Sequence, residues 1–445
     1  MRRLPHLKPI FSILALLFFL FSFSQFTVSA QEYRELSLDE AVNLALENNL
    51  NLEKNRIDIE TSCYSEKNLW SEIFPTISAS ASYGFSSPLF SGDGFQIRDN
   101  TNYRIGSGLT LGLNAGIPYV MRNIRLAHQN NLLRYEDARN QLSIQVTKKY
   151  YSLVAEKNNL LLLEEVLNLT QRQYERNQIS FRNGLIRELV LIQSRLALQN
   201  ARYNLSAANT AYTNNMAEFL AMLGINADSK LTLLGEIDIK KIDADAQVLI
   251  NQYLGERPDI TRARGEIERL ENAQRQMIMQ NRAPSLNLSM DWHLRNFDPF
   301  ADRYEGSVRL TIPIDPWIPG TSRNQSERRA NDAVEKAKLD LVMTEDIAKN
   351  QIRTLTALLR NSWDNIEIAR LTFEVAQLSY RLTEEGFRSG TVESLVLEDA
   401  RNNMANARQR LLQSELVYFN MILDLSAALN INWKNLIQTY GVKNE

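Results

Sequence analysis

Glu398 and Asp399 are the acidic pair best placed to do chemistry, in the stretch SLVLEDARNNMANAR that follows Gly390. Two carboxylates can divide acid and base work when they converge on one substrate. Neighbouring residues on a helix lie about 100° apart, however, so these two point in different directions and make no catalytic dyad. A second use of a carboxylate survives. Copies gathered by symmetry around a narrow opening repel one another and attract cations. Asp399 stands nine residues past Gly390, about 13 Å of helix rise, and is the first candidate for such a constriction. Glu398 competes with it, since only one of the two can point straight into a bore, and the plain alternative makes both surface charges.

Other reactive side chains are dispersed. His128 and His293 are far apart with no local metal-ligand spacing, His6 falls in the first 30 residues, and Cys63 is the sole cysteine. Neither a metal site nor an internal disulfide is expected. With no Ser-His-Asp or phosphate-cradling pattern, the chain reads as neither an enzyme nor a cofactor binder. Arg2, Arg3 and Lys8, the run IFSILALLFFLFSF and VSA at 28–30 have the three regions of a secretory signal peptide. Removing those three basic residues leaves 47 basic against 52 acidic, a mature charge near −5, which argues against a nucleic-acid partner.

The element carrying the acidic pair occurs twice. FRNGLIRELVLIQSRLALQNAR at 181–202 returns as FRSGTVESLVLEDARNNMANAR at 387–408, matching at Phe, Arg, Gly, Leu-Val-Leu, Arg, Ala and Arg. Leu191, Leu198, Leu205 and Tyr212 step by seven, and so do Leu397, Met404, Leu411 and Tyr418. Each copy is therefore a heptad helix entered through a glycine turn. A second seam, Leu189, Leu196 and Tyr203, lets the first copy touch neighbours on two sides, as a ring of helices requires. No proline falls in 119–257 or 320–445, so helices of roughly 40 to 60 residues are expected, a length that indicates a coiled coil or helical barrel.

Upstream of each long helix the period changes to two. Ile77, Ala79, Ala81 and Tyr83 oppose serines. Leu109, Leu111 and Leu113 oppose Thr110 and Gly112, Leu286, Leu288, Met290 and Trp292 oppose Asn287, Ser289 and Asp291, and Val308 and Leu310 oppose Ser307 and Arg309. A soluble sandwich also alternates in this way. The lengths suit a tilted membrane barrel, and Tyr83, Tyr103, Trp292 and Tyr304 near strand ends suit an interfacial aromatic girdle. Leu109, Leu111, Leu113, Leu286, Leu288 and Leu310 are then the lipid-facing residues.

The chain is thus an α+β membrane protein with an internal two-fold repeat of helix, strand, strand, long helix, turn, helix. A first helix begins at LSLDEAVNLALENN, with Ser37 and Glu40 as a capping box, and runs from about 38 to 72; its counterpart starts at Pro258 and runs to about 282. The divisions are a signal peptide at 1–30, a first repeat at 31–235 with strands near 77–87 and 103–117 and a hairpin turn at 181–186, and an inter-repeat equatorial segment at 236–255. A second repeat follows at 256–425, with strands near 285–294 and 304–315 and a turn at 387–392, then a C-terminal equatorial segment at 426–445. Between its proline and its glycine turn the second half is 11 residues longer, part of which is the loop DPWIPGTSRN. Four strands cannot close a barrel alone, and open sheet edges are not tolerated in lipid. Two copies give 8 strands and a filled interior, three give 12 and an open channel; a homotrimer is expected.

The order of these motifs resembles the outer-membrane efflux protein family, the TolC-like ducts of Gram-negative envelopes. The resemblance is carried by LSLDEAVNLALENN, FPTISASASYG, RPDI, APSLNLSMDW, the prolines after the second and fourth strands, and both glycine turns. It implies a trimeric 12-stranded outer-membrane β-barrel continued by a long periplasmic α-helical barrel. It also implies an inner-membrane exporter, proton-driven or ATP-driven, engaged through a periplasmic adaptor. Arg182, Gly184, Arg187, Arg388, Gly390 and Glu393 are, by this resemblance, at the tips that meet the adaptor. The family pattern resembling G-x5-D-x2-D places acids inside the closed mouth; here its first position holds Val396 and its second Asp399. Some relatives carry a tyrosine three residues before the glycine, where this chain has Phe387. The expected function is passive export of small molecules, with a protein-secretion duct as the alternative and a non-conducting periplasmic scaffold as the rival.

Overall fold

The computed structural model describes residues 34–86, 100–226, 229, 231–235, 239–295 and 303–442; the signal peptide expected at 1–30 lies outside them. β1 is Arg34–Leu36. α1, Leu38–Asn48, starts where the capping box was read: the Ser37 hydroxyl accepts from the Glu40 N–H and the Glu40 carboxylate accepts from the Ser37 N–H at 3.0 Å. The single helix expected over 38–72 is broken. Asn49 ends α1, and its side-chain carbonyl accepts from the N–H groups of Asn51 and Leu52 to start α2, Leu50–Lys67. An asparagine oxygen offers the backbone a better partner at a helix start than within a helix, which is why the break falls there. A 3-10 turn, Leu69–Ile73, follows.

β2 (Thr76–Ser86) and β3 (Asn100–Asn114) come next. The strand expected at 103–117 starts and ends earlier. Gly116 donates to the Asn114 side chain at 2.8 Å, and Pro118 occupies the first turn of α3, Ile117–Arg182. α4 is Glu188–Met222, β4 Leu231–Leu233, α5 Ala246–Tyr253 and α6 Pro258–Arg282. β5 (Ser285–Arg295) and β6 (Arg303–Thr311) precede α7, Ser322–Arg388; α8 is Ser394–Leu429 and α9 Trp433–Tyr440. β6 stops at Thr311 rather than 315 because Pro313 and Pro316 cannot donate to a ladder. α3 and α7, with 66 and 67 residues, exceed the expected helix length and reach about 100 Å.

The four long strands form one antiparallel sheet in the order β2-β3-β5-β6. Its register sets Ile77 beside Leu109 and Met290, Leu111 beside Leu288 and Val308, and Leu113 beside Leu286 and Leu310, so one face is an apolar field. The other face carries Ser78, Gly108, Asp291 and Glu305 in one row and Ser80, Gly106, His293 and Arg303 in the next. Trp292 pairs with Tyr304 and Tyr83 with Tyr103 toward one end of the sheet; the Tyr103 side chain lies outside the described ones. Among the described residues, the outer edges of β2 and β6 have no strand partner. No described helix is long and apolar enough to cross a membrane.

Along the long helices, α2 and α6 pack beside α3 and α7 on the sheet side, and α4 and α8 do so on the far side, with α3 touching both α6 and α8. At mid-length sit two apolar clusters. One gathers Leu36, Ala41, Val146, Leu153 and Phe219. The other gathers Leu249, Ile352, Leu359, Ile366 and Ile422. Each is strapped by backbone: β1 runs parallel to β4, and Ile242 bridges Gly441. A buried phenol ties each strap to a helix. Tyr150 of α3 donates to the carbonyl of Leu36, and Tyr418 of α8 donates to Lys240 O and accepts from Ile242 N–H, both at 2.9 Å.

Candidate functional site

The far ends of the two helical hairpins are built alike. Gly184 has φ 72° and Gly390 φ 77°. The N–H of Gly184 bonds to Phe181 O and that of Leu185 to Ser180 O, while Gly390 bonds to Phe387 O and Thr391 to Gly386 O. This is the paired cap in which a left-handed residue lets the next two amides close the last helical carbonyls. A Cβ at either glycine would meet nothing within 4 Å, so the demand for glycine is conformational. Arg182, Arg187, Arg388 and Glu393 are exposed around these turns, as are the glycines, and Arg388 pairs with Glu384 at 2.7 Å.

Above the second tip the acidic pair separates. Leu397, Ala400 and Arg401 are buried and Glu398 is half-buried, while Leu395, Val396 and Asp399 are exposed. Asp399 thus sits on the free arc of α8. Glu398 turns toward Arg401, in a small cavity that also receives Gln173 and Arg176 from α3 and Tyr380 from α7. Burial pushes the Glu398 carboxyl above the usual carboxylate range, with Arg401 pulling it down and Asp399 adding to the rise. The sequence distinguishes two directions for these residues, but not that one of them is occupied by packing.

Two other constellations were not visible in sequence. Ser62 Oγ lies 2.9 Å from His128 Nδ1, whose Nε2 lies 3.7 Å from Glu66. The Ser62 hydroxyl also donates to Ile59 O at 3.0 Å, so the histidine N–H donates to the serine oxygen. A serine bonded in that sense is not activated for attack. At mid-length a cleft of about 590 Å³ lies among α1, α3, α6, α8 and α9. Its charges answer one another: Arg257 to Asp259, Arg262 to Asp137 and Lys434 to Asp39. None is left over for a ligand, and no group of three or more His, Cys, Asp or Glu that could hold a metal ion occurs among the described residues.

A duct component rather than a catalyst fits this geometry, and the family model described as outer membrane efflux protein matches residues 41–225 and 249–430. The chain belongs to the outer membrane efflux protein family. A probable efflux pump outer membrane protein of Pseudomonas putida, TtgC, is 24% identical over 430 residues, covering 91% of this chain and 84% of that one. The CmeC outer membrane channel of Campylobacter jejuni is similar in fold, with a TM-score of 0.72 at 18% identity, covering 90% of this chain and 88% of that one. As a member of the family, the chain is an outer-membrane efflux channel protein with its helical part in the periplasm, and it is not an enzyme.

The lipid-facing set read from the sequence shares the apolar face of this efflux protein's sheet. Leu109 and Leu310 are exposed, while Leu111, Leu113, Leu286 and Leu288 are partly covered by their cross-strand neighbours. Among the described residues the second heptad seam of α4 has no covering partner: Leu189, Leu196 and Tyr203 are exposed, whereas Leu198 and Ala201 are buried. On α7 a matching stripe, Ile368, Leu371, Val375, Leu378 and Leu382, is also exposed.

Proposed function

We propose that this chain is the passive exit duct of a tripartite efflux system, a homotrimer whose twelve strands close a barrel and whose helices continue as a tunnel through the periplasm. The observation that carries the reading is incompleteness on matching flanks. β2 and β6 leave two open sheet edges, which lipid does not tolerate. α4 and α7 leave two apolar stripes, both within roughly 30 Å of the tips. A neighbouring copy satisfies strands and helices together, joining β6 to β2 and α7 to α4. The repeated element order and the equivalent tips support an internal duplication that gives such a ring near-sixfold regularity.

In this reading the exposed tip residues Arg182, Arg187, Arg388 and Glu393 meet a periplasmic adaptor, which couples the duct to an inner-membrane exporter. Asp399 faces the bore, and three copies form the constriction. Glu398 is held back by packing. Native mass measurement in a membrane-like environment is expected to give a trimer; a stable monomer or dimer overturns the assembly. In a planar bilayer under a salt gradient, the wild-type duct is expected to favour cations, and Asp399→Asn is expected to shift the reversal potential toward zero more than Glu398→Gln does. A shift confined to Glu398→Gln reassigns the ring, and absence of any conductance favours the scaffold. Small-molecule export is the preferred cargo class, since every curated relative matched is an efflux pump component.

A further inference from the structure

The polar face of the sheet changes sign along its length. In a barrel this face lines the lumen, and the end of the sheet away from the helices is the outer mouth, since α3 leaves β3 and α6 enters β5 at the other end. Asp291 stands opposite Glu305 in one row. One step toward the outer mouth His293 stands opposite Arg303, and one step further Arg104 stands opposite Arg295. On the polar face these last two levels, about 7 Å of strand, hold three arginines and no carboxylate.

The acids of the inner row are already engaged. Asp291 leans over β3: a Cβ at Gly108 would lie 2.5 Å from its Oδ1 and 3.2 Å from Ser78 Oγ, so only glycine leaves the carboxylate room against the wall. Glu305 lies 3.9 Å from His293 Nε2. Arg104 and Arg303 are exposed and have no carboxylate within ion-pair distance among the described residues. Like charges at directly opposite positions of a sheet cost stability, and the register places Arg295 directly opposite Arg104. An anion held between them relieves that cost.

A closed barrel repeats Arg104 and Arg303 around the lumen, with Arg295 at the strand position between them. Guanidinium forks match the paired oxygens of phosphate and carboxylate, and a cleft lined by one sign of charge concentrates ions of the other. We propose that Arg104 and Arg303 form a ring at the outer mouth of the barrel that binds multivalent anions bearing phosphate or carboxylate groups, a site for anionic cargo at the exit. The proposal rests on the barrel reading above and adds a cargo class to it. Its sign is opposite to that of the Asp399 constriction. The constriction is narrow and the barrel wide, so the ring binds anions without reversing the cation preference expected of the closed duct.

The test titrates the detergent-solubilised full-length protein by calorimetry with inositol hexakisphosphate and, separately, with benzenehexacarboxylate, and measures native mass on the same sample. A trimer that binds at least one of the two is expected, with binding that weakens as salt is raised because accessible charges are screened; the tighter of the two anions identifies the group the ring prefers. Arg104→Gln with Arg303→Gln is expected to weaken binding about tenfold or more. Arg328→Gln with Arg329→Gln removes the same charge from exposed positions of α7 and is expected to leave binding unchanged. The native mass of the first double variant separates lost binding from lost assembly, and if it does not assemble, Arg303→Gln alone is read in the same way. A trimer that binds neither anion overturns the ring and leaves the barrel reading standing. Equal weakening by both pairs of substitutions assigns the binding to overall charge and overturns the ring as well. A stable monomer or dimer overturns the barrel reading, and the ring with it.

Discussion

Arg257 at the mid-length belt and Arg401 near the second tip are buried to the same degree, 7% and 6% exposed, but their surroundings differ. Arg257 makes two bonds to Asp259, at 3.0 and 2.7 Å, one to Ala428 O at 2.8 Å and one to Gln351 at 2.9 Å. Arg401 leaves its Nε without an acceptor, and Glu398 and Tyr380 are the groups whose charge it feels. The neighbourhoods follow suit. The belt combines apolar clusters with backbone straps; the tip combines Gln173, Asn177 and Arg176, with Asn177 Nδ2 also lacking a partner. A satisfied buried ion locks the elements it joins, and an unsatisfied one costs free energy in the packed state. On these bonds the mid-length region, the belt, is expected to hold its packing more firmly than the tip.

The sharpest way to break this contrast is to remove the belt's ion. Arg257→Ala leaves the partly exposed Asp259 and the buried Ala428 carbonyl without their partner and is expected to cost about 3 kcal/mol, the lower end for a broken buried pair. Thermal unfolding of the full-length protein followed by circular dichroism measures it. A loss below that of an ordinary surface substitution would show that the belt does not depend on the network.

A smaller loss is expected at the second strap. Tyr418→Phe leaves the Ile242 N–H without its acceptor, at a cost of about 1–3 kcal/mol. Burial pushes the Tyr418 hydroxyl up to about 12, opposing the bond from Ile242 that lowers it. A phenol in the unfolded chain ionises near 10. The stability of the neutral form is therefore complete below about pH 10 and declines as pH rises toward about 12. The alkaline limb of wild-type stability is expected to flatten in Tyr418→Phe; identical limbs would remove this residue from the strap's energetics.

At the tips, Gly184→Ala and Gly390→Ala meet no neighbour but place a Cβ in left-handed backbone. Each is expected to cost about 1–2 kcal/mol, seen as faster amide exchange in the last turns of α3 and α7 with the belt unchanged. Faster exchange in the belt amides as well would mean that the two regions are coupled. If the tips meet the adaptor, bulky replacements at both positions lower efflux with assembly intact.

What the sequence reveals follows the range of the interactions. The strand faces, the heptad seams and the glycine turns are local: each depends on a period or on one residue's φ, and Leu189, Leu196 and Tyr203 are legible as a second seam without knowledge of what covers them. Asn49 carried a local signal too, in the side-chain cap that splits the first helix, but the apolar residues on both sides continue one helical pattern and mask it. Tyr418 and Lys240 are 178 positions apart, and Ser62 and His128 are 66 apart; no spacing rule connects such pairs. The acidic pair lies between these cases. Two directions could be read from the helix, whereas burial of Glu398 depends on Tyr380 and Gln173 from other helices.

The smallest expected effect tests the tip directly. Arg401→Met keeps a long, flexible stem and removes a buried charge whose Nε is unpaired. The desolvation of the guanidinium disappears, and what is lost is its attraction to Glu398, half-buried and already pushed toward its neutral form by burial. Replacing poorly paired buried ions by apolar groups of similar volume is neutral or stabilising, so the melting temperature is expected to hold or rise, in contrast to Arg257→Ala. Slower exchange of the Leu397 and Ala400 amides would show that the substitution settles the packed tip. Arg401→Lys keeps the charge and is expected not to slow it. A loss of stability in Arg401→Met comparable to that in Arg257→Ala would erase the distinction between a locked belt and a pliant tip.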